Sequence, residues 1–117
     1  IFQYRPSTDT WQETKLNASD ANGFDNFGTS VSISETTAVV AAANNDDSGS
    51  QTGSAYIYQL DPSSDTWLET KLLASDGATY DYFGSSVSVS GTMVLVGAHE
   101  DDDNGTQSGS VYIYPTK

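Results

Sequence analysis

The sequence predicts an all-β fold built from tandem four-stranded antiparallel sheets. Two observations predict it: an internal repeat, and a hydrophobic period of two within each copy. Shifting the sequence by 56 positions aligns residues 1–61 with residues 57–117 without a gap, and a little over half of the aligned positions are identical. Because a repeated unit of this size cannot bury its apolar face alone, we expect its copies to stack.

Four short strands are predicted in each copy. Residues 30–34 alternate between small polar and apolar side chains, which is typical of a strand with one packed face. Residues 37–43 form a continuous run of small, mostly apolar side chains, as expected for a strand covered on both faces. The third strand is predicted at residues 55–58, where Tyr and Ile favour β-structure. The fourth is predicted at residues 11–16 and again at residues 67–72.

The turn between the third and fourth strands has a clear sequence signature. Residues 61–65 contain Asp, Pro and Ser, and residues 5–9 repeat the Pro-Ser pair. Proline presets φ for a turn position, and Asp and Ser bond to nearby backbone. No segment carries a helical stripe. Four short antiparallel strands per repeat are what one β-propeller blade contains.

Composition excludes several partners. Four Lys and Arg against sixteen Asp and Glu give a net charge of −12, which repels phosphate backbones, so we expect no nucleic-acid partner. The longest apolar run is far shorter than the roughly 20 residues that span a bilayer, so no membrane insertion is expected. No cysteine is present for a disulfide or a thiolate metal site. The chain begins at Ile1 without a leader, and we expect a processed product or a part of something longer.

The repeats resemble the FG-GAP family, whose members form blades of integrin α-subunit propellers. The resemblance lies in a Phe-Gly pair followed by an apolar strand that ends in small residues: Phe27, Gly28, Ala41 and Ala42 in the first copy, and Phe83, Gly84, Gly97 and Ala98 in the second. It implies antiparallel four-stranded blades and an incomplete propeller that needs further blades or neighbouring chains. The Pro of the family's second motif is replaced by Ala43 and His99. The hairpin after the first strand lacks the acidic calcium loop of integrins, so those calcium sites do not carry over.

The predicted domain organisation follows the repeat. Residues 1–16 are expected to be the third and fourth strands of a preceding blade, residues 17–72 the first full repeat, and residues 73–117 a second, incomplete repeat. Since propellers close with about four to eight blades, a two-repeat chain needs flanking repeats of the same polypeptide or copies of itself. A ring and an open fibre both stay open.

Blade topology places the acidic loops on one face. The connection between the second and third strands and the connection between blades leave an antiparallel blade at the same end. Their carboxylates are Asp20, Asp25, Asp46, Asp47, Asp76, Asp81, Asp101, Asp102 and Asp103. Two interpretations remain: these residues bind Ca²⁺, which prefers carboxylate and carbonyl oxygens, or they are solvated turns in which Asp and Asn cap the backbone. Calcium is the one candidate cofactor.

The recurring aromatic and glycine residues are expected to be structural. They are Trp11, Trp67, Phe27, Phe83, Gly28 and Gly84, which recur in phase in the two copies. We expect the tryptophans, together with Val31 and Val87, to be buried between strands or blades, because periodic aromatics are usually core. The alternative is a sugar-binding platform, which exposed aromatics on the acidic face would favour. His99 beside Glu100 is a weaker candidate for a metal ligand or base, since no repeated counterpart exists.

The sequence therefore predicts a non-enzymatic extracellular or cell-surface module with a structural or adhesive role, assembled through its blades. A calcium-dependent propeller that binds a glycan or a protein ligand is the leading alternative, and a hydrolase is a distant one. Two sequons, at Asn17 and Asn104, are candidate glycosylation sites.

Overall fold

A computed structural model describes residues 1–116 as an open arrangement of β-sheets. No helix lies within these residues, so none of them forms a helix that could span a membrane. The strands, in chain order, are β1 (Phe2–Arg5), β2 (Thr10–Glu13), β3 (Phe27–Ser34), β4 (Thr37–Ala42), β5 (Ser54–Asp61), β6 (Thr66–Leu72), β7 (Phe83–Ser90), β8 (Met93–Ala98) and β9 (Ser110–Pro115).

The strands form three antiparallel sheets. β1 and β2 make a hairpin; β3, β4, β5 and β6 make the first sheet in that order; β7, β8 and β9 make the second sheet. Within each sheet, every strand pairs with the strands next to it in sequence, as blade topology requires. The fold-class prediction is confirmed: the protein is all-β, and its four-stranded antiparallel sheet is that of a blade in a propeller that is not closed.

The predicted turn chemistry is present between β5 and β6. The Asp61 carboxylate accepts hydrogen bonds from the Ser63 backbone N–H at 2.9 Å and from the Ser63 hydroxyl at 2.6 Å. Asp65 closes the turn with a φ of 54°, and Asp9 has a φ of 53° at the equivalent place in the β1–β2 hairpin. Asp tolerates this left-handed conformation better than most residues.

The main core lies between the two large sheets. One face of the first sheet contributes Val39, Ala55 and Ile57, and the second sheet contributes Phe83, Val89, Val94, Val96 and Ala98. β4 is buried along its whole length because it lies inside the first sheet and is covered on both faces. A smaller core on the other face of the first sheet includes Val40, Tyr56 and Tyr58.

Backbone contacts tie the two sheets together at one edge. Gly53 and Phe83 form a parallel bridge, and the Phe83 N–H donates to the Thr52 carbonyl at 2.9 Å. A Cβ on Gly53 would lie 2.1 Å from the Phe83 carbonyl oxygen, which is far too close. Glycine is therefore needed at this approach.

The burial predicted for Trp11 and Val31 is wrong in this structure. Trp11 is 67% exposed and Val31 is 65% exposed, whereas their counterparts Trp67 and Val87 are partly buried. The cause is the neighbouring sheet: Val87 faces the first sheet, but no strand of residues 1–116 covers Val31. Of the repeated Phe-Gly pairs, Phe83 and Gly84 are buried, Phe27 is half-buried and Gly28 is exposed.

Candidate functional site

The acidic loops of both sheets lie at one end of the molecule. Because the strands alternate in direction, residues 43–53 and 73–82 leave the first sheet at the same end. Residues 17–26 and 99–109 lie at this end as well, because Lys71 joins Asp20 to Asp47, and Asp101 and Asp103 lie beside Asp76. We call the end formed by these four loops the acidic end. Residues 43–53 and 73–82 are bonded to each other, since the Tyr80 N–H donates to the Ser50 carbonyl at 2.9 Å.

In the first sheet, a lysine holds the acidic end together. Lys71 Nζ lies 2.5 Å from Asp20 Oδ2 and 2.6 Å from Asp47 Oδ2. It also lies 5.4 Å from the centroid of the Tyr56 ring, within the range of a cation–π contact. The Tyr56 hydroxyl donates to Asp20 Oδ1 at 2.9 Å. Lys71 is brought here by strand pairing, because it is the register partner of Tyr56 in the β5–β6 ladder.

The charges of this site shift one another's protonation. The Lys71 hydrogen bond lowers the pKa of Asp20, and the bond from Tyr56 adds to the effect. Burial alone would lower the pKa of Lys71, but its hydrogen bonds to Asp20 and Asp47 raise it overall. Burial and the bond to Asp20 raise the pKa of Tyr56 to about 12. At neutral pH the site therefore holds a charged Lys71 beside an ionised Asp20.

Two other acidic residues beside the first sheet, Asp25 and Asp46, accept hydrogen bonds from backbone or amide groups. Asn45 is fully buried, and its amide donates to Asp25 Oδ2 at 3.2 Å while its carbonyl oxygen accepts from the Ser54 hydroxyl at 2.8 Å. Asp25 also accepts the Asn22 N–H at 2.9 Å, and Asp46 accepts the Gln51 N–H at 2.6 Å. These contacts are those expected for capped turns.

In the second sheet, the equivalent loops bring three carboxylates together. One carboxylate oxygen from each of Asp76, Asp101 and Asp103 lies within 4.8 Å of the others, and Asp101 is fully buried. The Tyr112 hydroxyl lies 2.8 Å from Asp76 Oδ1 and 3.0 Å from Asp101 Oδ2. We call these four residues the second-sheet cluster. Within residues 1–116, no lysine or arginine forms an ion pair with this cluster.

Crowded carboxylates shift the pKa values in the second-sheet cluster. A hydrogen bond between Asp103 and Asp76 raises the pKa of Asp103, and the Asp101 charge raises it further. The Tyr112 hydroxyl, followed by Asp103, lowers the pKa of Asp76. Asp81 and Asp102 lie outside this group and cap turns: Asp81 accepts the Ala78 N–H at 2.7 Å, and Asp102 accepts the Gln107 N–H.

The chemistry of the second-sheet cluster fits a cation. Three carboxylates can offer one oxygen each, whereas Ca²⁺ takes six to eight oxygens, so water or further groups would have to complete its shell. In the first sheet the Lys71 ammonium group already lies between Asp20 and Asp47. The calcium hypothesis for the nine aspartates stays a prediction, and it is best supported at Asp76, Asp101 and Asp103.

Aromatic side chains line the acidic end beside the carboxylates. Tyr80 is 55% exposed. Its ring centroid lies 6.5 Å from that of Tyr82, and the ring centroid of Tyr82 lies 5.7 Å from that of His99. Phe24, the counterpart of Tyr80, is 95% exposed. Both have positive φ values, 69° for Phe24 and 68° for Tyr80, which is rare for bulky residues. Neither Phe24 nor Tyr80 is among the site residues that the sequence predicts, although the 56-residue spacing of the two aromatics is a signal for them.

The remaining candidates are exposed surface groups. His99 Nε2 lies 3.4 Å from Glu100 Oε1, and His99 is exposed. Asn17 and Asn104 of the two sequons are exposed as well, which an acceptor for glycan transfer requires. Their glycosylation stays a prediction.

The internal repeat corresponds to a known family of repeats. The family model for the FG-GAP repeat matches residues 11–58 and again residues 67–114. The chain belongs to the FG-GAP repeat family. The two FG-GAP matches are separated by the same 56 positions as the internal repeat, and each runs from the fourth strand of one sheet to the third strand of the next. No curated protein matches the chain significantly.

Proposed function

We propose that this chain is a non-enzymatic, extracellular structural or adhesive module that assembles blade on blade, with copies of itself or with flanking FG-GAP repeats. One observation carries the proposal: the interface between the two sheets is made of two faces, and each face is present a second time with its apolar side chains exposed.

The first exposed face lies on β3. Val31 and Ile33 are 65% and 54% exposed, but their repeat counterparts on β7 pack against the first sheet, and Val89 is only 6% exposed. An open groove of about 790 Å³ lies between this face and the chain around Ile1. Its lining is mostly apolar and includes Leu16, Phe27 and Val40. This groove has the lining of a blade interface and would take the strands of another blade.

The second exposed face lies on the far side of the second sheet. Leu95, Val111 and Ile113 are 40%, 64% and 59% exposed. Their counterparts in the first sheet are Val39, Ala55 and Ile57, which are 0%, 0% and 6% exposed in the core between the sheets. The two exposed faces are thus the two halves of one interface. Contacts between such unlike faces run head to tail, and they produce rings or filaments.

Light scattering on two charge variants tests this assembly. Ile33→Lys blocks one face and Ile113→Lys blocks the other. The unmodified chain should associate at micromolar concentration, and each variant alone should be a monomer of 12.4 kDa. An equal mixture should form a dimer and stop there, because each variant keeps the face that the other has lost.

Thr70→Lys is the matched control, because it adds the same charge at an exposed position of β6. It should leave the association unchanged. A monomeric unmodified chain, or association that both Ile variants retain, would refute assembly through these faces.

Ligand binding at the acidic end is a second candidate function. The exposed ring of Tyr80 beside Tyr82 and His99 favours it, since sugars stack on exposed aromatic rings. A calcium-dependent form of this function would use Asp76, Asp101 and Asp103. For ligand binding at the acidic end, we expect the chain to bind oligosaccharides in solution and Tyr80→Ala to weaken that binding. Titration calorimetry measures both.

A further inference from the structure

The two repeats place the same groups at the acidic end, but only the first repeat surrounds a cation with them. Asp20, Asp47 and Tyr56 hold the Lys71 ammonium group. The residues 56 positions later are Asp76, Asp103 and Tyr112, all members of the second-sheet cluster. The tyrosine hydroxyl bonds the first of these aspartates at 2.9 Å in the first repeat and at 2.8 Å in the second.

The second-sheet cluster carries more negative charge than its counterpart. Asp101 replaces Asn45, so an amide that donates a hydrogen bond in the first sheet becomes a buried carboxylate in the second. Several carboxylates then lie close together without a basic partner in residues 1–116. Like charges at this spacing repel one another, and a cation among them relieves the repulsion.

The lysine of the first repeat comes from a fourth strand, and the second sheet has three strands. Lys71 reaches its site because β6 pairs with β5, and Tyr56 is its register partner. β9 is the counterpart of β5, and within residues 1–116 it pairs only with β8. An unpaired strand edge is a template for another strand.

We propose that the second-sheet cluster receives the ammonium group of a lysine, delivered by a fourth β-strand of the pattern Trp-x-Glu-Thr-Lys-Leu that pairs with β9. The pattern is present twice in this chain, at residues 11–16 and 67–72. The inference rests on the proposed assembly of blades and names the strand and the lysine that complete the second sheet.

The edge of β9 limits where this strand pairs. At the end of β9 the Thr116 N–H points toward β8 and donates to the Thr92 carbonyl. The equivalent bond in the first sheet runs from the Leu60 N–H to the Thr36 carbonyl. Since successive N–H groups alternate sides, the nitrogen of Pro115 faces the free edge, and proline has no N–H to donate. Pairing is therefore weakened at Pro115 but is preserved around Tyr112, where the lysine binds.

A labelled peptide with the sequence of residues 10–17 tests the inference by fluorescence anisotropy with the full chain. The unmodified peptide should bind, and a peptide with Gln in place of its lysine should bind about fivefold more weakly, as expected for a partly exposed ion pair. Asp103→Asn in the chain should weaken the unmodified peptide to a similar extent. The Gln peptide should not distinguish Asp103→Asn from the unmodified chain.

Glu35→Gln is the control variant, because Glu35 lies in the β3–β4 hairpin at the opposite end of the sheet and is exposed. It should leave peptide affinity unchanged. No peptide binding, or equal binding of the lysine and Gln peptides, would overturn the inference. So would calorimetric binding of CaCl₂ that Asp103→Asn abolishes, because the cluster would then be a metal site. Light scattering tests the assembly itself independently, so failure of the lysine contact and failure of blade stacking can be told apart.

Discussion

Phe27 and Phe83 occupy the same position in the two repeats, yet they differ in burial. The ring centroid of Phe83 lies 5.2 Å from that of Tyr112 and 6.3 Å from that of Tyr114. The ring centroid of Phe27 lies 5.4 Å from that of Tyr56 and 6.3 Å from that of Tyr58. The contacts within each sheet are thus nearly the same. Phe83 is 1% exposed and Phe27 is half-buried because the first sheet covers only Phe83. Burial in this fold is completed by the neighbouring sheet.

Truncation of the two phenylalanines should separate these contributions. Phe83→Ala should lower the free energy of unfolding by about 3–5 kcal/mol, the usual cost of removing a fully buried phenylalanine. Phe27→Ala should cost roughly half as much, because part of its side chain stays in water in the unmodified protein. Urea denaturation of both variants, below the concentration at which the chain associates, measures the difference. Equal losses would show that the neighbouring sheet contributes little.

Gly53 and Gly109 compare the same backbone position with and without a neighbouring sheet. Both have positive φ, 86° and 76°, so alanine is strained at either site. A Cβ at Gly53 would also meet the Phe83 backbone at 2.1 Å, while at Gly109 the nearest atom is 3.4 Å away. Gly53→Ala should therefore cost about 1–3 kcal/mol more than Gly109→Ala. Thermal melts of the two variants check this, and indistinguishable melting temperatures would contradict the parallel bridge.

The sequence was sufficient to predict the strands, because the period of two and the turn residues are local signals. The 56-residue repeat placed the third and fourth strands of the first sheet correctly, and the Phe-Gly pair identified the blade. The strand predicted at residues 11–16 is shorter than predicted, because β2 ends at Glu13. Exposure of Trp11 and Val31 could not be predicted in the same way, since it depends on which sheet lies beside them.

The role of Lys71 was overlooked for a different reason. The aspartate pattern indicates metal ligands or solvated turns, and the basic partner of Asp20 and Asp47 is distant from both in sequence. A signal was nevertheless available: Lys15 and Lys71 recur in phase in a chain with only four basic residues. In a protein with sixteen acidic residues, a repeated lysine is a strong candidate for an internal counter-ion.

Lys71 and Lys15 provide the smallest and most specific comparison. Lys71→Gln removes two ion pairs and should lower the free energy of unfolding at pH 7 by about 1 kcal/mol, since the aspartates are partly exposed and solvent screens them. Lys15→Gln is the matched control: Lys15 is exposed and has no ion pair within residues 1–116, so its loss should have little effect.

The pH dependence of stability identifies the cause of that difference. The Lys71 hydrogen bond holds the pKa of Asp20 below its ordinary value of 3.8, so this contribution is present above that pH and is lost as the pH falls through the lowered pKa. The raised pKa of Lys71 keeps the lysine charged up to its ordinary value of 10.5 and beyond, so the pair is intact at neutral pH. Unfolding free energies of the unmodified chain and of Lys71→Gln should therefore differ at pH 7 and converge in the acid range. A difference that persists unchanged at acid pH would mean that the lysine stabilises the sheet through its contact with the Tyr56 ring rather than through its ion pairs with the aspartates.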